Sequence, residues 1–166
     1  MNTRQLLALV GLFAAVLLLS SAQLHNERVG EITFEQYQNQ VYARAILDKR
    51  YLTLALKQEV DCPAAIMLSS CAPSFVQERM RVEVNGQSAS LEKIDQELTQ
   101  RHLIITWKLH SNDQQINSLE LNSSYMLAYT DHATIGVNCF LNQQERYYTM
   151  SARKTAININ WETAKP

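Results

Sequence analysis

Glycine, proline and cysteine are scarce in this chain of 166 residues, at four, three and three. So little glycine and proline excludes a collagen repeat or a low-complexity linker protein. The three cysteines form no CxxC pair and the four histidines are scattered, so a structural zinc site is not expected. HExxH, GxGxxG and GxxxxGK[ST] are all missing, which removes the zinc-protease, dinucleotide and P-loop classes, and no GxSxG turn offers a nucleophilic serine. Charge of one sign is missing too: 15 basic against 16 acidic groups leave −1. Nothing therefore points to nucleic acid. The polar load falls instead on 11 Asn and 14 Gln, dispersed rather than in tracts.

One long apolar run is present. Residues 6–19 (LLALVGLFAAVLLL) follow a short N-terminus with a single Arg4, and Ser20-Ser21-Ala22 supplies small residues at the end. A basic start, a core of about 7–15 apolar residues and a small-residue site describe a secretory signal. Extended to Ala22, the run has 17 residues, just short of the ~20 that a spanning helix needs. Residues 1–22 are therefore read as a signal peptide or, alternatively, an uncleaved anchor. Either reading puts residues 23–166 outside the cytoplasm as one domain, periplasmic or secreted, or held at the inner membrane and facing the periplasm. The membrane enters only through residues 1–22.

In an oxidising compartment the close pair Cys62 and Cys71 is expected to join. Cys139 is left over in an alternating apolar stretch and reads as a buried, inert thiol.

Period-two alternation dominates the exported part. It predicts strands at residues 51–58 (YLTLALKQ), 79–85 (RMRVEVN), 102–109 (HLIITWKL), 134–141 (TIGVNCFL) and 156–161 (AININW). Residues 116–121 and 146–151 are weaker candidates, giving seven. Asn85-Gly86 is a strong hairpin turn, and 142–145 (NQQE) suits a four-residue hairpin loop. Residues 31–47 (EITFEQYQNQVYARAIL) read as helix passing into strand, with Thr33 and Gln36 resembling a capping box. Residues 74–79 suggest a short helical turn. The expected fold is all-β and mainly antiparallel, an immunoglobulin-like sandwich or a small barrel, with a short N-terminal helix.

Taken together, LDKRYLTLALKQEVD, RVEVNGQSASL, LIITWKL, INSLELNSSYMLAYTDHATIGVN and NQQERYYTM resemble a family of small exported β-sandwich proteins, over residues 47–161. That family has no characterised activity, and its members are often encoded beside zinc aminopeptidases in bacteria. Members usually begin the mature chain with His-Pro, where this one has Gln23-Leu24-His25-Asn26, and the Cys62/Cys71 loop is not a family feature. The resemblance implies a fold and an exported compartment, not an activity.

Residues that could carry chemistry are few. Asp131-His132 are neighbours, but strand neighbours point to opposite faces, so Asp131 does not orient His132 toward Cys139. His102 and His110 share one strand face, yet eight residues at ~3.3 Å separate them by ~26 Å, too far for one metal. Asn122-Ser-Ser124 is a short match to a glycosylation sequon. No catalytic, cofactor or metal residues are assigned. Tyr125, Tyr129, Tyr147 and Tyr148 lie in and around the last hairpin, and tyrosine suits an interface because its ring is apolar and its tip polar. Equally, such residues complete a core rim. The expected function is that of a non-catalytic binding or accessory protein of the bacterial envelope with a protein partner. The alternative is an anchored periplasmic partner subunit of a transmembrane sensor or transcription regulator, binding a small apolar ligand.

Intact mass under non-reducing conditions separates the two fates of residues 1–22. A cleaved protein lacks those residues and is two hydrogens lighter than the reduced chain; an anchored one keeps its full mass.

Overall fold

The computed structural model describes residues 27–59, 61–113, 115–125 and 132–161. Residues 6–22 therefore lie outside the described part. Nine strands and a helical crossover make up the fold. β1 (Glu27–Tyr37) and β2 (Gln40–Asp48) lead into helix α1 (Lys49–Glu59), a π-helical turn (Met67–Cys71) and α2 (Ala72–Glu78). Then follow β3 (Met80–Val84), β4 (Gln87–Leu98), β5 (His102–His110), β6 (Ser118–Ser123), β7 (Ala133–Leu141), β8 (Gln144–Ser151) and β9 (Ala156–Asn160). The strands form one sheet in the order β8-β7-β1-β2-β5-β4-β3-β6-β9. Seven of its eight ladders are antiparallel, and β1 with β7 is parallel. Ser151 and Lys154 bridge across the turn that leads from β8 to β9, and the sheet is nearly closed into a barrel. The all-β expectation holds, with a mixed rather than purely antiparallel sheet.

Alternation sets the inner face. Val41, Ala43, Ala45 and Leu47 of β2, and Leu103, Ile105, Trp107 and Leu109 of β5, are all buried. Trp107 is fully enclosed, between Ala43 of β2 and the register position of Lys93 on β4. Burying side chains of this size supplies ~1.5–3 kcal/mol each, the main favourable contribution to the fold.

Two sequence expectations fail, each for a local reason. Residues 51–58 are helical, not a strand. They contain an i, i+3, i+4 stripe, Leu52, Ala55 and Leu56, all buried, whereas strand periodicity would also have buried Leu54, which is 50% exposed. Leu, Ala, Lys, Gln and Glu favour helix, and the Asp48 carboxylate accepts the Arg50 amide at 2.8 Å where the helix starts. Residues 31–47 are the reverse case: not helix into strand but two strands around a tight turn. Gln38 and Asn39 take positive φ (49° and 61°), and Tyr37 pairs with Gln40 across them. Polar Gln and Asn in that stretch make a turn, and Thr33 lies within β1 instead of capping a helix. No N-terminal helix forms there. The helical turn expected at 74–79 is present as α2.

The other turns follow from chemistry. Asn85 and Gly86 take φ of 51° and 76°, the left-handed values that the Asn-Gly dipeptide tolerates. The β7–β8 turn is also two residues, Asn142 and Gln143 (φ 53° and 60°), tighter than the expected four. β4 was not anticipated at all, because exposed polar residues occupy most of its positions.

Asn85 also fastens the loop before β6. Its Nδ2 donates to Asp113 Oδ2 and to the Gln115 carbonyl, each at 2.8 Å, and its Oδ1 accepts the Asn117 and Ser118 amides at 2.8 and 2.9 Å. Asn85→Ala loses all four bonds and places a Cβ-bearing residue without a polar tip at positive φ. Chemical denaturation should show a loss of about 2 kcal/mol or more. A loss under about 0.5 kcal/mol, the range of an ordinary surface substitution, would show that the network is not structural.

Candidate functional site

Two regions carry unused binding capacity. The first is the seam between the terminal strands. β8 is hydrogen-bonded to β7 and β9 to β6, while the bridge Ser151–Lys154 closes the turn that leads from β8 to β9. Among the described residues no strand pairs with the other edge of β8 or of β9. At the far end of the barrel Asn142 Nδ2 donates to the Ile116 carbonyl at 2.5 Å and ties the β7–β8 turn to the start of β6. Register puts Met150, Tyr148 and Arg146 on the inner face, opposite Ile135, Val137 and Cys139. Met150 is buried and Tyr148 half-buried, but Arg146 is exposed and held by the Gln144 side chain at 2.8 Å. An inward-facing arginine on a terminal strand guards that part of the edge against indiscriminate pairing. On the outer face Tyr147 is 63% exposed, stands edge-on to Phe140 with centroids 6.1 Å apart, and donates to Glu145 at 2.8 Å. That bond raises the Tyr147 pKa above its ordinary value.

The second region is a groove of about 730 Å³ at the end of the barrel where α1 begins. It is lined by Asp48, Lys49, Arg50, Thr53, Leu54, Leu68, Gln100, Arg101 and His102. Lys49 Nζ donates to the carbonyls of Thr99 and Gln100 at 3.1 and 3.2 Å, which holds the β4–β5 turn against α1. Arg50 forks onto Asp48, with Nε at 3.2 Å and Nη2 at 3.0 Å, and reaches Glu27 at 3.5 Å; Tyr51 donates to the same Glu27 carboxylate. Burial acts to raise the Asp48 pKa, but the Arg50 side chain, the Arg50 amide and the nearby cations outweigh it and hold the carboxyl below its ordinary value.

The residues singled out from sequence are dispersed. Cys62 and Cys71 are joined in a disulfide (Cα–Cα 6.5 Å) that ties the segment after α1 to the π-helical turn. Such a bond fits an oxidising compartment. Cys139 is free and fully enclosed, and burial pushes its thiol up to about 12, so it is unreactive at neutral pH. His132 is exposed just before β7, seven residues from Cys139, or ~23 Å along a strand. His102 lines the groove, whereas His110, at the opposite end of β5, bonds Glu92 at 2.7 Å. Among the described residues no group of three His, Cys, Asp or Glu side chains could hold a metal.

Of the four tyrosines, Tyr147 and Tyr148 fall on the open edge strand, while Tyr129 lies outside the described residues. Tyr125 is a core residue, 1% exposed, not a surface one. Burial raises its pKa, and the adjacent Ser123 hydroxyl opposes this without forming a well-aligned bond. Trp107 Nε1 and Trp161 Nε1 are likewise buried without a hydrogen-bond partner. The sequence signalled neither the groove nor the seam. Groove residues come from β2, α1, the π-helical turn, the β4–β5 turn and the start of β5, and only folding brings these together.

The chain matches no protein-family model, and no curated protein matches it. Its resemblance to the exported β-sandwich family stands on the quoted segments alone.

The Asp48–Arg50 pair gives a pH dependence with a definite sign. Asp48 titrates lower in the folded chain, so it contributes stability above its ordinary value of 3.8, and that contribution is lost as pH falls through the folded value. Arg50→Ala should move the Asp48 pKa upward, since burial remains and its strongest partner is gone. Carboxyl NMR titration reads this directly; an unmoved Asp48 would mean the pair is not formed in solution.

Proposed function

We propose that this is an exported protein that acts by binding: an accessory domain of the bacterial envelope that takes a protein partner along the seam of its barrel. The observation that carries the reading is the open edge of β8, with Tyr147 exposed on one face and Tyr148 half-buried on the other. A strand edge offers N–H and C=O groups that an extended segment can use, with alternate side chains reading the partner. Tyrosine adds apolar area and a hydrogen-bonding tip at little entropic cost. Arg146 limits which segments fit, because any added strand must run past an inner-face cation.

A second reading, the anchored partner subunit of a transmembrane sensor, draws support from the start of β1. Glu27 sits against Arg50 and Tyr51, at the barrel end bearing α1. Only residues 23–26 separate it from the apolar run. If that run is retained, the domain is held close to the bilayer, where a membrane-spanning partner would meet it.

Photo-crosslinking tests the seam. A benzophenone residue replacing Tyr147 in the full chain, irradiated in the native envelope, should give one stoichiometric adduct with a peptide of a single partner. The same probe at Gln87, by the Asn85-Gly86 turn, should not. Equal labelling from both positions, or none from Tyr147, would sink the proposal.

A further inference from the structure

Resting on the reading that residues 6–22 are retained as an anchor, we propose that the α1 end of the barrel docks on the surface of the same membrane, with its groove against anionic lipid headgroups. The argument starts from reach. Residues 23–26 bridge Ala22 to Glu27 and span at most ~17 Å when fully extended. Glu27 is bonded to Tyr51 and Arg50 at the start of α1, so the tether ends beside the groove rather than at the Asn85-Gly86 end.

What that end presents suits a headgroup layer. Three cations, Lys49, Arg50 and Arg101, line the groove with one carboxylate, Asp48, while the protein as a whole carries −1. Glu27, outside the lining, shares Arg50 with Asp48. Leu54, 50% exposed on α1, lines the groove with these cations; along the chain, Ile66 (45% exposed) lies two residues before the lining residue Leu68, and Leu98 (49% exposed) two residues before Gln100. These are three of the six large hydrophobic residues that are exposed among those described. Cations beside protruding leucine and isoleucine match the phosphate-to-acyl boundary, where basic groups are drawn to anionic lipid and apolar tips insert shallowly. Lys49 is already braced by two backbone carbonyls and Arg50 is forked onto Asp48, so Arg101 is the better placed to meet a phosphate. Arg is also the better phosphate ligand, because its planar fork donates in pairs.

The test uses the full chain reconstituted in vesicles of phosphatidylcholine and phosphatidylglycerol, with flotation to establish membrane retention. A fluorophore is attached at Leu54→Cys or, as the distal control, at Gln87→Cys. Native Cys139 is enclosed and Cys62–Cys71 is bonded, so labelling is confined to the new thiol. Nitroxide lipid should quench the Leu54 probe at least about twofold more than the Gln87 probe. The difference should shrink when phosphatidylglycerol is replaced by phosphatidylcholine, in Arg101→Glu, and at high salt. Equal quenching at the two sites in a chain that floats overturns the docking proposal and leaves the anchored reading intact. A chain that stays soluble, with residues 1–22 removed, overturns the anchored reading and the docking proposal together.

Discussion

The parallel ladder between β1 and β7 is the contact on which this architecture depends. It joins residues 27–35 to residues 133–140, more than a hundred positions apart, through eight registered pairs. β2 and β5 extend the sheet from one side of β1, and β7 with β8 from the other, so removing this ladder would divide the sheet in two. Side-chain bonds reinforce it: Asn138 Nδ2 donates to Glu31 at 2.5 Å, and Thr134 Oγ1 donates to the Glu27 carbonyl at 3.4 Å. Distant contacts of this kind carry a large loop-closure entropy, which the enclosed Ile32, Phe34, Val137 and Cys139 must offset.

Curvature follows from the same arrangement. A sheet of nine twisted strands cannot remain flat and still cover one apolar face, so it coils on itself. The helical crossover between β2 and β3 covers the inner face at one end, with Leu52, Ala55, Leu56, Phe75 and Val76 all buried. The disulfide Cys62–Cys71 and the ion pair of Arg79 with Glu59 hold this crossover in shape. Closure then stops short of complete pairing among the described residues. The proposed binding regions follow from that arrangement: the outer edges of β8 and β9, and a cation-lined groove where the crossover leaves the barrel.

These two regions have different physical characters. The seam offers directional backbone groups, which suit an extended polypeptide and discriminate through side-chain pockets. The groove offers cations and protruding aliphatic side chains, which suit a surface more than a shaped ligand. They also differ in placement, since the groove adjoins the start of β1 and the seam runs between the ends of the barrel. Under the proposed anchored reading, one region would face the membrane and the other a protein partner.

The sequence by itself determined the β character, the alternating inner faces of β3, β5, β7 and β9, the Asn85-Gly86 hairpin and the Cys62–Cys71 pair. Each of these is encoded within about ten residues, by period-two burial, by residues that tolerate positive φ, or by two thiols close along the chain. Residues 51–58 show where local reading fails: Leu52, Leu54 and Leu56 alternate, while Leu52, Ala55 and Leu56 form a helical stripe. The partner surface chose the second by leaving Leu54 outside. Tertiary structure alone decided the parallel β1–β7 pairing, the assembly of the groove from three separate stretches of chain, and the position of Tyr147 and Tyr148 on an edge strand while Tyr125 went to the core. Those outcomes depend on which surfaces meet after long loops close, and periodicity within a segment carries no information about which distant segment will cover it.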